Sequence, residues 1–287
     1  MYHNDRYMQK LFTKILVPVN FNRNTRWSVQ KAVQLANKFG CDILLLHVQP
    51  PVSMVPSLYD AFFSGSFFPV SQETAKQKLK QLELLYKPAL EKGLWINSAV
   101  LTGYWQPVIK EVIVSEQVDL VLIPRNHKRL SSAILHRVNI NLLAEQTNCP
   151  IMTITRNLNA SHLQNIVVPV FDTLPVKKLT MATYFSIDKE CCIYLMGRED
   201  SDSRRRDKGL LLRAYRLLSD VGKMNIRCAI HNSEDNGNST LNFARNVKAN
   251  LIVVNPGKES RFRGWWNRLT GKYLPLESDI PVLTVSF

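Results

Sequence analysis

The chain has 287 residues, of which 45% are hydrophobic and 21% charged, a composition that excludes wholesale disorder and a length that accommodates two domains of ordinary size. Lys and Arg outnumber Asp and Glu by 37 to 23, a formal charge of +14, and both halves of the chain are cationic. No basic tail carries that charge; it favours anionic partners such as nucleic acid or a membrane surface, with a dispersed basic surface as the simpler reading.

The start, MYHNDRYMQKLFTK, lacks the apolar core of a signal peptide, and no stretch approaches the ~20 apolar residues of a membrane span. The five cysteines (Cys41, Cys149, Cys191, Cys192, Cys228) form no CxxC pair and read as buried thiols. A reducing, cytoplasmic protein without a membrane span is expected.

Apolar runs and helical periodicity predict, in order, a strand at 14–19, a helix at 25–39, a strand at 42–48, a long loop, and a helix at 73–92. A strand at 95–101, a helix at 106–116, a strand at 118–123, a helix at 131–146 and a strand at 150–155 follow. Further strands fall near 165–170, 191–197, 224–231, 250–255 and 281–286. Strands that are apolar throughout and alternate with helices imply parallel sheets covered on both faces.

Three landmarks recur in the same order. KILVPVNFN (14–22) pairs with NIVVPVFDT (165–173), DLVLIP (119–124) with NLIVVN (250–255), and CPIMTIT (149–155) with IPVLTVS (280–286). The chain therefore reads as a duplicated unit, with unit one at 1–155, a polar linker at 156–163 and unit two at 164–287.

Unit one alone carries the long segment 50–71, whose Phe62, Phe63, Phe67 and Phe68 are expected to be buried on unit one or across the seam. SRRRDK (203–208) reads as a solvated cationic loop. GKESRFRGWWNRLTGKY (257–273) mixes cations with Trp265 and Trp266 but occupies a helix position, where ordinary packing is preferred over base stacking.

The turn after the strand at 118–123 reads IPRNHKRLSSAILHRVN. A phosphate-binding turn there needs glycines, since backbone N–H groups approach phosphates where side chains are absent. It has none. The V-P-V strand end, this strand and turn, and the Cys149-Pro150 that opens the last strand together resemble the universal stress protein family, in tandem form.

That resemblance implies an α/β fold of two tandem doubly wound five-stranded parallel sheets, each of strand order 3-2-1-4-5, with a crevice at the ends of strands one and four. It also implies an intrachain pseudo-dimer through the last strands, Ile151 to Thr155 and Val282 to Phe287. These β-branched edges would be stabilised by pairing.

Nucleotide-binding relatives carry G-x-x-G, nine residues, then G-S or G-T. Carried over, Pro124 and His127 stand on the first glycines and Arg137 and Val138 on the final pair, while Asn139 matches an Asn seen in many members. Asn20 replaces the first-strand Asp, and Gly103 is retained. In unit two, Asn255, Lys258, Arg268 and Leu269 take the glycine positions, and Phe171 takes the aspartate's, one residue before Asp172.

Arg125, His127, Lys128, Arg129 and Arg137 form either a side-chain anion site or a solvated basic turn, and the latter is preferred. No nucleophile with a base and no metal-ligand spacing is evident. The expectation is a non-catalytic stress or regulatory protein with degenerate nucleotide sites, no resident cofactor and an unidentified partner, a homodimer being compatible. The alternatives are an ATP or AMP sensor using Asn20, the Val48 backbone and the basic turn, and a module for nucleic acid or an anionic surface.

Overall fold

The computed structural model describes residues 10–51, 71–125, 138–159, 163–186, 191–198, 204–222, 224–231, 235–257, 259–262 and 273–286, with the backbone alone at 204–208. The first half comprises β1 (Lys14–Pro18), α1 (Asn24–Phe39), β2 (Asp42–Gln49), α2 (Gln72–Tyr86), β3 (Ile96–Thr102), α3 (Trp105–Ser115), β4 (Leu120–Pro124), α4 (Ile140–Thr147) and β5 (Ile151–Ile154). The second comprises β6 (Asn165–Pro169), α5 (Val176–Phe185), β7 (Cys192–Arg198), α6 (Arg204–Val221), β8 (Asn225–His231), α7 (Asn236–Asn246), β9 (Leu251–Val254), α8 (Leu274–Glu277) and β10 (Val282–Thr284).

Strand order is β3-β2-β1-β4-β5-β10-β9-β6-β7-β8. Each half therefore has the order 3-2-1-4-5, and pairing within a half is parallel. The expected two sheets are nevertheless one. β5 and β10 pair antiparallel in the middle, Thr153 opposite Val282 and Ile151 opposite Thr284. Both strands would be edges in isolated halves, and joining them satisfies their ladder groups where burial excludes water.

The outer edges are instead β3 and β8. These two depart from the expectation of strands apolar throughout, because their residues are largely half-buried or exposed.

The duplication extends to individual backbone angles and bonds. Phe21 and Asp172, three residues beyond the equivalent prolines Pro18 and Pro169, both adopt left-handed conformations, with φ of 57° and 50°. Asp119 Oδ2 accepts from the amides of Thr13 and Lys14 at 2.7 and 3.2 Å, and Asn250 Oδ1 accepts from those of Gln164 and Asn165 at 2.9 and 3.0 Å. Each therefore holds the start of strand one in its own half.

One hydrophobic cluster crosses the seam. Phe12 is 1% exposed, and its ring centroid lies 5.7 Å from Phe39 of α1, 5.1 Å from Tyr184 and 5.8 Å from Phe185 of α5. At ~1.5–3 kcal/mol per fully buried large side chain, this aromatic group welds the halves on one sheet face. On the other face Tyr273 and Leu276 of the second half pack on the first half's cluster.

Three element boundaries differ from expectation. The helix expected over 73–92 ends at Tyr86, and a 3-10 turn follows over Lys87–Ala89, because Pro88 has no N–H to continue the ladder. Arg204 onward belongs to helix α6 rather than a loop. The first described helical residue after β4 is Ile140; most of the turn at 124–137, the aromatic segment, and Trp265 and Trp266 lie outside the described residues.

Candidate functional site at the strand ends

In a doubly wound sheet the crevice lies where connections leave in opposite directions. In the first half this is beyond β1 and β4, and in the second beyond β6 and β9, each an adjacent parallel pair.

Beyond β1, Asn20 is half-buried, and its Oδ1 accepts from the Asn22 amide at 3.4 Å. Phe21 folds over His47 of β2, ring centroids 4.5 Å apart, and His47 Nδ1 lies 2.8 Å from the Val19 carbonyl. That contact fits an N–H on Nδ1 in the neutral ring. Burial pushes the His47 pKa below its ordinary value, against the pull of the Val19 carbonyl.

At the start of α1, Asn24, Thr25 and Ser28 are buried. Ser28 Oγ donates to the Thr25 carbonyl at 2.9 Å, whereas Thr25 Oγ1 has no hydrogen-bond partner among the described residues.

Of the other residues singled out by sequence, Val48 is 2% exposed near the end of β2. The Gly103 amide donates to Gln49 O at 2.8 Å; its φ is +150°, and a Cβ there would lie 2.7 Å from Val108 Cγ2. Packing therefore suffices to require that glycine.

Pro124 closes β4 opposite Ile154 and has no N–H, and the Arg125 amide is spent on Ile154 O at 2.8 Å. Arg125 Nη1 is buried without a hydrogen-bond partner among the described residues. The charges acting on its guanidinium come from Glu277, Asp279 and Arg245 of the second half, while burial pushes its pKa down. Val138 is a core residue at 2% exposure, and Asn139 caps α4, its Oδ1 accepting from the Leu142 amide at 3.1 Å. His127, Lys128 and Arg137 lie outside the described residues.

The second half arranges the same place differently. Lys178 of α5 is 0% exposed; its Nζ lies 2.6 Å from Glu259 Oε2 and 2.6 Å from the carbonyl of Pro169, the last residue of β6. The same Oε2 accepts from the amide of Asn255, just beyond β9, at 2.9 Å. Burial lowers the Lys178 pKa, opposed by Glu259.

Sequence reasoning passed over Lys178 and Glu259, although one signal was present. Lys178 shares a helical stripe with Ala182 and Phe185, at spacings of four and seven, and so falls on the face that packs inward.

An apolar groove of about 350 Å³ lies between α5 and α6, lined in part by Leu11, Val176, Leu179, Tyr184 and Leu217. The Thr180 and Thr183 hydroxyls beside it donate to their own helix, at Val176 O and Leu179 O, so the groove offers little polar discrimination. Four cysteines are buried, Cys41 pushed up to about 12 by burial, while Cys228 on β8 is exposed, unlike the expectation for all five. Among the described residues no group of three or more His, Cys, Asp or Glu could hold a metal ion, and no helix is long and apolar enough to cross a membrane.

The sequence profile of the universal stress protein family matches residues 11–155, just over half the chain. The chain belongs to the universal stress protein family, as a two-unit member. A universal stress protein from Archaeoglobus fulgidus DSM 4304 superposes over 97% of this chain and 99% of its own, with a TM-score of 0.62 at 13% identity. A putative universal stress protein from Pseudomonas aeruginosa UCBPP-PA14 covers 96% and 93%, with a TM-score of 0.62 at 12% identity.

The cytoplasmic domain of a prokaryotic cation chloride cotransporter covers 95% of each chain, with a TM-score of 0.51 at 9% identity. Such identities establish the fold alone. No curated protein matches the sequence.

Proposed function

We propose that the protein is a non-catalytic stress-response or regulatory protein whose two halves do not hold a triphosphate in the family's usual manner. One observation carries this reading. The position at the end of strand four, where a phosphate-binding turn would offer a backbone donor, is Pro124, the last residue of β4, in one half and Asn255, just beyond β9, in the other. Pro124 has no N–H, and the Asn255 N–H is committed to Glu259.

The units are taken as 1–155 and 164–287, joined by 156–163 and acting as an intrachain pseudo-dimer across β5 and β10. The buried cysteine thiols suit a reducing cytoplasm. Titration calorimetry with ATP and with AMP, and mass spectrometry of small molecules released from purified protein, test the reading. Weak or absent binding is expected, and micromolar affinity for either nucleotide overturns it.

A second reading, an ATP or AMP sensor in the first half, draws support from the buried Thr25 hydroxyl at the start of α1, which has no hydrogen-bond partner among the described residues, and from half-buried Asn20 beyond β1. Under it, Thr25→Val would weaken binding measured in the same experiment.

A further inference from the structure

We propose that the second half contains an oxyanion-binding site already occupied by the chain itself, the Glu259 carboxylate standing where a phosphate or carboxylate group of a ligand would sit. Two donors of the kind that hold oxyanions converge on one point, the Lys178 ammonium at 2.6 Å and the Asn255 backbone N–H at 2.9 Å. They come from the helix after strand one and the end of strand four, so the point lies at the crossover of the second half, where doubly wound folds bind ligands. The oxygen that fills it, Glu259 Oε2, belongs to the loop immediately beyond β9.

Gly257, with φ of +88°, gives that loop a left-handed turn, after which Glu259 accepts from the Asn255 amide four residues back. Ser260, fully buried, fixes the loop further. Its hydroxyl donates to Gly257 O at 3.2 Å and accepts from Asn141 Nδ2 of the first half at 3.0 Å.

The charge pair is expensive to maintain if its purpose is packing alone. Burying an ammonium and a carboxylate costs more than filling the same space with apolar side chains, and the first half has no lysine at the equivalent position, which is Trp27 when Pro18 is matched to Pro169. The lysine is compensated here only because an anion meets it, and the nearest anion is internal. The loop therefore acts as a tethered competitor, whose effective concentration at the site no dilute ligand matches.

This extends the reading given above for the second half, and it stands even if the first half binds nucleotide. The test uses the full-length protein, with inorganic phosphate as probe and chloride at matched ionic strength as control. Wild type is expected to show no phosphate-specific change in thermal unfolding.

Glu259→Ala, which leaves the two donors unpaired, is expected to unfold at lower temperature and to regain stability with phosphate. Above the dissociation constant the midpoint should rise by roughly 2–4 °C per tenfold increase in phosphate. Calorimetry on this variant should show one site per chain, and Lys178→Met with Glu259→Ala should lose the response.

Absence of a phosphate-specific shift in Glu259→Ala overturns the proposal. So does an equal shift in the double variant, which would place the anion on the general basic surface. If Glu259→Ala does not fold in chloride, recovery of folded protein on refolding into phosphate supports the site, and failure to recover at any phosphate concentration overturns it.

Discussion

The two crossover crevices differ in how they deal with the same backbone. At the start of α1 the first half buries small neutral groups, Asn24, Thr25 and Ser28, and leaves the Thr25 hydroxyl without a partner among the described residues. The second places a fully buried ammonium there and neutralises it with its own Glu259. Both derive from one strand-turn-helix pattern, to the point that Phe21 and Asp172 share a left-handed conformation. Duplication thus preserves backbone geometry more faithfully than it preserves the electrostatics of the space the backbone encloses.

The largest test of that difference is Lys178→Met. It should cost about 3–5 kcal/mol in denaturant unfolding, because it removes one partner of a buried ion pair and leaves a carboxylate stranded. A loss under about 1 kcal/mol would mean that Glu259 reaches water without strain, and the contrast between the halves would shrink.

The second test asks where the halves should agree. Asp119→Ala and Asn250→Ala each strip two strand-initiating amides of their acceptor, so each should cost about 1–3 kcal/mol, the charged acceptor the more. Unequal losses in the opposite order would show that the duplicated bonds are not energetically equivalent.

The third concerns His47, which lies between Phe21 and the sheet in the first half alone. Its folded pKa is depressed by burial, so the unfolded chain takes up a proton first as pH falls. Stability contributed by the neutral ring is fully present above about pH 6.5 and declines below it toward the depressed folded value. Unfolding curves between pH 7.5 and 5 should show this slope, and His47→Gln should flatten it.

The smallest effect expected is a gain. Thr25→Val removes a buried hydroxyl without a described partner and should stabilise the protein by about 1 kcal/mol. Destabilisation of that size would show that the hydroxyl is satisfied, by solvent or by a ligand carried through purification.

Much of the fold was legible because its signals are local. Apolar runs at 14–19 and 165–170, and again at 118–123 and 250–255, recur with the same flanking turns, and a parallel, doubly wound order follows from alternating strands and helices. The candidate site was less legible. Asn139 matches a family position, yet it serves as a helix cap; Val138 aligns with a turn position and is core; Gly103 is demanded by Val108. Identity at an aligned position does not reveal which neighbour the side chain serves.

The sequence by itself determined the duplication, the alternation of strands and helices and the absence of glycines from the first half's turn after strand four, since these depend on residue type and spacing along the chain, while the strand order within each half was implied by the family resemblance. Contact through the last strands was implied by the resemblance, but only the tertiary structure decided that this contact fuses the two sheets into one through an antiparallel β5–β10 pair, that Phe12 belongs with Tyr184 and Phe185, and that Lys178 meets a carboxylate 81 residues away. Those outcomes depend on which faces and edges are left unsatisfied once each half has formed. Burial couples groups by distance in space, where a buried charge or an open strand edge must find a partner, and separation along the chain does not set that distance.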